Sequence, residues 1–323
     1  MYRLKYNTTV AAPALNRPHA LFAEEVLADE NFARELFRLF LPREIQETIQ
    51  PESLSIAPSG FSSEILRGFR SDRVYSIARR EGEEPELRIL LEHKSYRDAH
   101  ILKQLLRYMR EIHERQNASA PVIPFVLYHG TKEWNLPVSF QENMDLSPRE
   151  RKALGPYGLD FQYILLNLRT LDLEKIRTTP KMRVFLFVLK HIHELDQKEV
   201  LVRLLKLMPV VYFQEKENKF IELVLFYVYS VHNYNPGTIR NLWEDLIGAG
   251  TGEIVMTTAE MLKKSGMEEG FRKGIEKGVE QGRLEARLEI ARRLFHSGVS
   301  LDIVLQSTDL TRKDLENAGI FLG

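Results

Sequence analysis

Residues 87–95 read Leu-Arg-Ile-Leu-Leu-Glu-His-Lys-Ser, and they contain the strongest strand signal in the chain. Four of its first five residues are aliphatic, which is typical of a strand that is covered on both faces. Four polar residues, Glu92 to Ser95, then follow it. Because side chains alternate along a strand, Glu92 and Lys94 share one face while His93 points to the other. A carboxylate and an ammonium group at the end of a buried strand need a partner or a metal ion. The sequence therefore predicts a candidate site at this strand end.

A second strand, residues 74–78, precedes it, and the two are separated by the polar, turn-forming residues 79–86. This pattern is typical of an antiparallel hairpin, and folding it brings Asp72 within a residue or two of Glu92. Two neighbouring carboxylates repel each other, and a divalent cation usually relieves that repulsion. Oxygen ligands in a chain without cysteine indicate Mg²⁺ or Mn²⁺ rather than zinc. The alternative is a salt-bridged strand end without a metal ion.

The remaining periodicity predicts helices and strands in alternation, followed by a wholly helical region. The predicted helices cover residues 18–39 and 99–116, the further strands cover residues 54–56, 63–66, 121–128 and 161–167, and the helical region covers residues 181–250. We therefore predict an α/β domain over residues 1–180, a helical subdomain over 181–252, and a charged helix with a short terminal helical unit over 253–323.

A strict four-residue repeat of glycine lies in the charged segment, at Gly266, Gly270, Gly274, Gly278 and Gly282. Five glycines inside a helix would cost roughly 5 kcal/mol relative to alanine. Close approach of another helix would offset that cost and would suggest a homodimer, whereas a flexible charged linker fits the repeat equally well.

The terminal unit, residues 299–317, only vaguely resembles a helix-turn-helix. Its second helix balances Arg312 and Lys313 against two acids, which is unfavourable for a helix that reads the major groove. The residues alone favour a small packing or dimer element.

Composition excludes several classes of protein. The 323 residues contain no cysteine, which excludes disulfides, thiolate zinc sites, iron–sulfur clusters and a cysteine nucleophile. The 45 basic residues equal the 45 acidic ones, so the chain does not coat nucleic acid by bulk charge. The histidines are scattered and form no clear metal-binding pair.

Since no apolar stretch reaches membrane length and no signal peptide is visible, we expect a cytoplasmic protein without a membrane partner.

Several separated motifs occur together in a fixed order. Residues 70–75 (Arg-Ser-Asp-Arg-Val-Tyr) and 91–95 (Leu-Glu-His-Lys-Ser) are followed by residues 106–109 (Leu-Arg-Tyr-Met) and by residues 124–130 with Trp134. This arrangement resembles the Rpn/YhgA-like family of recombination-promoting nucleases, also described as transposases. The resemblance covers nearly the whole chain. It implies a PD-(D/E)XK nuclease core, a mixed central sheet flanked by helices.

The resemblance also implies roles for individual residues. Asp72 and Glu92 are expected to hold Mg²⁺ or Mn²⁺, the backbone carbonyl of His93 is a plausible further ligand, and Lys94 is the third signature residue. Many family members carry Gln at the position of Lys94.

Two pairs of residues are supporting candidates. Gln104 and Tyr108 lie at i and i+4 on the following helix, where related nucleases often place polar side chains, although ordinary helix surface explains them equally well. The family often begins its first helix with His-Asp, but here Ala20 follows His19, which leaves Glu24 or Glu25 as substitutes for the missing acid.

The expected function is metal-dependent DNA endonuclease activity in a recombination or mobile-element setting, with water as the nucleophile and Lys94 assisting. The alternative is a catalytically inactive DNA-binding or assembly protein on the same fold. A transposase that performs strand transfer is a third possibility.

Overall fold

The computed structural model describes residues 18–57, 73–81, 86–116, 120–215, 218–232 and 234–320. Helices and strands are interspersed up to residue 167, and all later regular elements are helical. The strands are β1 Ser55–Ile56, β2 Arg73–Ala78, β3 Glu86–Lys94, β4 Val122–Tyr128 and β5 Ile164–Asn167. The α-helices are α1 Pro18–Val26, α2 Glu30–Phe40, α3 Arg43–Thr48, α4 Ile101–Gln116, α5 Pro148–Leu154, α6 Pro180–His191, α7 Lys198–Val210, α8 Asn218–Val231, α9 Pro236–Ile247, α10 Glu253–His296, α11 Leu301–Thr308 and α12 Arg312–Asn317.

The five strands form one mixed sheet in the order β1-β2-β3-β4-β5. β1, β2 and β3 pair antiparallel, which confirms the predicted hairpin, and β4 and β5 continue the sheet in parallel. Helix α4 provides the crossover that two parallel strands require. The predicted strand at residues 63–66 lies outside the described residues.

Strand β3 is longer than its apolar run suggested. It continues through Glu92 and His93 to Lys94, because β4 pairs with it as far as Lys94 opposite Tyr128. Every residue from Leu87 to Lys94 is buried. The polar residues therefore lie inside the sheet, not beyond its end.

The sheet separates two apolar cores, and this fixes where each side chain of β3 points. Ile89 and Leu91 pack in the core that also contains residues of α1, α2 and α6 to α9. Leu90 packs on the opposite face, in the core that contains the apolar side of α4. Because Glu92 and Lys94 follow Leu90 with the same alternation, they belong to the face of α4.

The single helix predicted for residues 18–39 is wrong, because the chain divides there into α1 and α2. Asp29 lies between them in an extended conformation, and its side chain accepts hydrogen bonds from the main-chain N–H groups of Asn31 and Phe32 at 3.0 and 3.3 Å. A side chain that caps the second helix in this way ends the continuity of the first.

The helical region predicted from residue 181 is confirmed by α6 to α9. Thr179 caps α6 by accepting a hydrogen bond from the Met182 N–H at 3.3 Å, and Pro180 occupies the first helical position, where its missing N–H has no cost. None of the described helices combines enough length with enough apolar character to span a bilayer.

Helix α10 runs for 44 residues and contains all five glycines of the four-residue repeat, so that segment is a helix and not a linker. The chain divides within α10 into two compact units, of which the first ends at Leu262 and the second begins at Lys263. The domain bounds at residues 180 and 252, and a homodimer through the glycine repeat, stay predictions.

Candidate functional site

Glu92 and Lys94 form a buried ion pair near the end of β3. Glu92 is only 1% exposed and Lys94 only 5% exposed, and Lys94 Nζ lies 2.9 Å from Glu92 Oε1. Removing two charges from water is unfavourable. The attraction between them offsets that loss of hydration only when further hydrogen bonds satisfy their remaining polar atoms. The neighbouring helix α4 supplies such bonds.

Gln104 of α4 connects both members of the pair. Its Nε2 donates to Glu92 Oε1 at 3.1 Å and to the Tyr108 hydroxyl at 2.8 Å, and its Oε1 accepts from Lys94 Nζ at 2.8 Å. Tyr108, one helical turn later, is buried in the core beneath α4. The i and i+4 spacing noted in the sequence thus brings both side chains to the Glu92–Lys94 pair, so they are not ordinary helix surface.

Asp98 completes the group, and the sequence analysis missed it. Its Oδ2 lies 2.8 Å from Lys94 Nζ, and its Oδ1 accepts from the main-chain N–H of His100 at 2.9 Å. Oxygen atoms of Glu92, Asp98 and Gln104 thus lie 2.9, 2.8 and 2.8 Å from Lys94 Nζ. An aspartate just before a helix is a familiar start signal, and that signal marks Asp98 ahead of α4.

The electrostatic balance keeps this group charged. Burial alone would lower the pKa of Lys94, but the negative charge of Glu92 and the hydrogen bonds to Asp98 and Glu92 outweigh it, so the pKa is raised. Burial alone would raise the pKa of Asp98, but hydrogen bonds from Lys94 and from the His100 N–H lower it. Both shifts stabilise the ammonium–carboxylate form.

One atom of the group has no partner among the described residues. Glu92 Oε2 is buried and accepts no hydrogen bond from the residues that the structure describes. A free, buried carboxylate oxygen is the type of ligand that Mg²⁺ and Mn²⁺ prefer, so Glu92 fits the expected metal. Within the described ranges, no three His, Asp or Glu side chains come together in a way that could hold a metal ion.

The second predicted carboxylate, Asp72, lies outside the described residues. Its neighbour Arg73 pairs with Leu91, the residue before Glu92, and donates from Nη2 to the main-chain carbonyl of Glu24 at 2.8 Å. The ligand role of the His93 carbonyl stays a prediction.

The two glutamates proposed for the first helix lie on α1, which packs in the core on the other face of the sheet from Glu92. Glu24 is half-buried and Glu25 is exposed. The described contacts do not place them with the Glu92–Lys94 pair, and their supporting role stays a prediction.

The histidines, scattered in the sequence, form a cluster on that second face. The His93 ring stacks on His129, with centroids 4.8 Å apart and planes inclined by 17°. His19 lies 5.3 Å from His129 and 5.4 Å from His193, and its Nδ1 lies 2.6 Å from the Tyr227 hydroxyl. Four separate segments contribute these rings, so sequence spacing carried no signal for the cluster.

This histidine cluster is neutral. Burial, with His193 nearby, lowers the pKa of His19 to about 4, and burial, with His19 and Lys94 nearby, lowers that of His93 to about 3. Burial also lowers the pKa of His129 far below its ordinary value. The nearby Leu189 carbonyl opposes this shift only in part. Neither ring nitrogen of His129 makes a well-formed hydrogen bond to a described residue. The cluster packs the back of β3 without adding charge there.

The unit that begins at Lys263 has its own small core, formed by Ala291, Val304, Leu310 and Leu315. Helices α11 and α12 meet there across a short turn in which Asp309 adopts a left-handed conformation with φ 54°. Thr311 and Asp314 form a capping box that begins α12.

Comparison with known families matches both parts of the chain. A family model described as "Putative transposase, YhgA-like" matches residues 17–219. A second, described as "Rpn/YhgA-like nuclease family, C-terminal HTH domain", matches residues 284–319. The interpretation of the terminal unit as a packing or dimer element is therefore wrong: it is a helix-turn-helix domain. Its even charge balance was a weaker signal than its helix–turn–helix pattern.

Three curated proteins show similarity. Recombination-promoting nuclease RpnD of Escherichia coli O157:H7 is 29% identical over 128 residues, which cover 37% of this chain and 49% of that protein, so the match spans only about half of its length. Recombination-promoting nuclease RpnC of E. coli K12 is 23% identical over 78% of this chain and 82% of its own. Inactive recombination-promoting nuclease-like protein RpnE of E. coli K12 is 21% identical over 93% of this chain and 97% of its own. No solved structure matches.

Proposed function

The chain belongs to the YhgA-like family, and we propose that it is a metal-dependent DNA endonuclease built on a PD-(D/E)XK nuclease core. The observation that carries the proposal is the buried group of Glu92, Lys94 and Gln104, in which Glu92 Oε2 has no described hydrogen-bond partner. Buried charges with a shifted pKa, such as that of Lys94, concentrate at functional sites. The helix-turn-helix domain and the nuclease relatives support DNA as the substrate.

Asp72 and Glu92 would hold Mg²⁺ or Mn²⁺, with the His93 carbonyl as a further ligand, and the ion would polarise the phosphate and lower the pKa of a bound water. Lys94 supplies a fixed positive charge. It stabilises the negative charge that builds up on the phosphate oxygens as water attacks phosphorus and the bond to the deoxyribose oxygen breaks.

Gln104 is a positioning residue in this proposal. By donating to Glu92 Oε1, it directs the other carboxylate oxygen away from Lys94 and leaves that oxygen available as a ligand. Tyr108 accepts the second N–H of the Gln104 amide and so fixes its orientation. Residues that orient a metal ligand typically affect affinity or activity by 10- to 100-fold, roughly.

The alternative function is a catalytically inactive DNA-binding or assembly protein. One observation favours it: the relative that aligns with 93% of this chain is named inactive. Under this alternative, the helix-turn-helix domain binds DNA and the Glu92 group serves only to stabilise the fold. We expect a recombination or mobile-element setting under either function.

Nicking of supercoiled plasmid by the full chain, with Mg²⁺ or Mn²⁺ and with EDTA, tests the proposal. Asp72→Asn and Glu92→Gln should each lower the nicking rate by about 100-fold or more, because each removes a ligand charge. DNA binding without cutting by the folded wild-type protein would support the alternative. Joined DNA products would indicate strand transfer.

A further inference from the structure

The segment between β3 and α4, residues 95–100, directly follows the Glu92–Lys94 pair along the chain, and we call it the rim loop. Its Tyr96 is 62% exposed, and the centre of the ring lies 5.6 Å from Lys94 Nζ. Single exposed aromatic residues are common on protein surfaces, so the exposure of Tyr96 alone assigns no role. Its position beside Lys94 is the informative feature.

The contact between Tyr96 and Lys94 is not needed to hold the ammonium group. Lys94 Nζ already donates to Asp98 and Gln104 and forms an ion pair with Glu92 at 2.9 Å. The Tyr96 ring therefore remains available to a molecule that binds at this site.

The rim loop and the first turn of α4 carry exposed basic side chains. Arg97 in the loop and Lys103 in the first turn of α4 are exposed. Asp98 is the only acid between residues 93 and 110, and its carboxylate is already engaged by Lys94 and by the His100 N–H. Exposed basic side chains of this kind make positioning contacts with phosphates.

An exposed aromatic ring beside basic side chains is the combination that binds a single strand of nucleic acid, since the ring stacks on a base while the cations follow the backbone. A base inside a duplex offers no free face to such a ring unless it is unstacked. The chemistry of the rim loop thus suits a strand with at least one unpaired nucleotide.

We propose that the rim loop binds DNA that carries unpaired nucleotides, with Tyr96 stacked on an unpaired base and Arg97 and Lys103 on the flanking phosphates. This inference rests on the proposed function, because the bound strand presents its phosphate to the Glu92 site. It names the substrate class of that site as gapped, bulged or single-stranded DNA.

Binding of labelled DNA by the full chain in EDTA tests the proposal without any cutting. Three probes are compared: a duplex, the same duplex with a short single-stranded gap, and that gapped duplex with abasic nucleotides in the gap. The abasic probe keeps every phosphate and removes the base on which Tyr96 would stack. The wild-type protein should bind the gapped probe about tenfold more tightly than the abasic probe.

Variants locate the effect. Tyr96→Ala should abolish the difference between the gapped and abasic probes, and Tyr96→Phe should retain it because the ring remains. Tyr157→Ala, at a tyrosine that is 90% exposed on a different segment, is the matched control and should retain it as well. Arg97→Ala should weaken binding to all three probes equally. The salt dependence of the binding constant should decrease by the amount that corresponds to the loss of about one phosphate contact.

The proposal is overturned if Tyr96→Ala keeps the preference of the wild-type protein, or if the wild-type protein has none. A single-stranded RNA that binds more tightly than the same DNA sequence would overturn the assigned substrate class. The experiments distinguish failure of the two proposals. A Tyr96-dependent preference without DNA cutting in Mg²⁺ refutes the proposed endonuclease activity. DNA cutting without that preference refutes the proposed binding of unpaired nucleotides by the rim loop.

Discussion

Mild acid should destabilise the first unit of this protein because three of its histidines are kept neutral in the folded state. His93 and His129 are buried and His19 is half-buried, and the pKa values of all three are lowered. In the unfolded chain a histidine takes up its proton near pH 6.5. The folded-state pKa is about 4 for His19 and about 3 for His93. Between pH 6.5 and these values the unfolded state binds more protons than the folded state, so the free energy of unfolding decreases as the pH decreases.

The size of the effect follows from the number of protons. One histidine that is protonated only in the unfolded state changes the free energy of unfolding by about 1.4 kcal/mol per pH unit. Three such histidines give about 4 kcal/mol per pH unit near pH 5, which is a large part of the roughly 5–15 kcal/mol that stabilises a typical domain. The slope should begin near pH 6.5 and be steepest near pH 5.

Urea unfolding in EDTA, followed by tryptophan fluorescence at several pH values, measures this slope. Both tryptophans, Trp134 and Trp243, are buried in the first unit, so the signal reports on that unit. His129→Phe should lower stability at neutral pH, yet its slope should be shallower by about 1.4 kcal/mol per pH unit. His113→Phe, at an exposed histidine of α4, is the matched control. Equal slopes for the wild-type protein and His129→Phe would show that His129 is not kept neutral in the folded state.

Three further predictions concern other parts of the chain. Asp98→Asn should lower kcat for DNA cleavage by about 10- to 100-fold with little change in KM, because it weakens the ion pair with Lys94 without removing a metal ligand. Steady-state kinetics measures both constants, and a change in KM alone would contradict this prediction. Asp29→Ala should reduce the free energy of unfolding in urea by about 1 kcal/mol through loss of the α2 cap, and an unchanged value would count against the cap. Leu315→Ala should destabilise the helix-turn-helix domain by about 2–5 kcal/mol and weaken DNA binding, because Leu315 lies in the core of that domain. Unchanged DNA binding and an unchanged unfolding transition of that domain would contradict this prediction.

The sheet could be predicted because local patterns determine it. The aliphatic run of β3 indicated a strand covered on both faces, and the polar segment after β2 indicated a hairpin. The alternation of side chains then placed Glu92 and Lys94 on one face and His93 on the other, as observed. The spacing of Gln104 and Tyr108 indicated one helix face, and the structure brings that face to Glu92.

Features that depend on distant segments or on competing local signals were not predictable in the same way. The histidine cluster joins residues from α1, β3, the end of β4 and the turn after α6, so no spacing in the sequence reveals it. The break between α1 and α2 was missed because the apolar periodicity runs across Asp29, whose capping bonds override it. Asp98 was missed because its local signal marks a helix start, and only the folded loop brings it to Lys94.

We propose that Glu92 serves a metal-dependent nuclease site and not only the stability of the sheet. The most direct test is the plasmid nicking rate of Glu92→Gln in Mg²⁺, beside the wild-type protein and Glu47→Gln, an exposed carboxylate on α3. DNA binding in EDTA and urea stability are measured on the same preparations. We expect that Glu92→Gln stays folded, binds DNA as the wild-type protein does and loses about 100-fold or more of the nicking rate, while Glu47→Gln loses none. Equal nicking by all three folded proteins would contradict it.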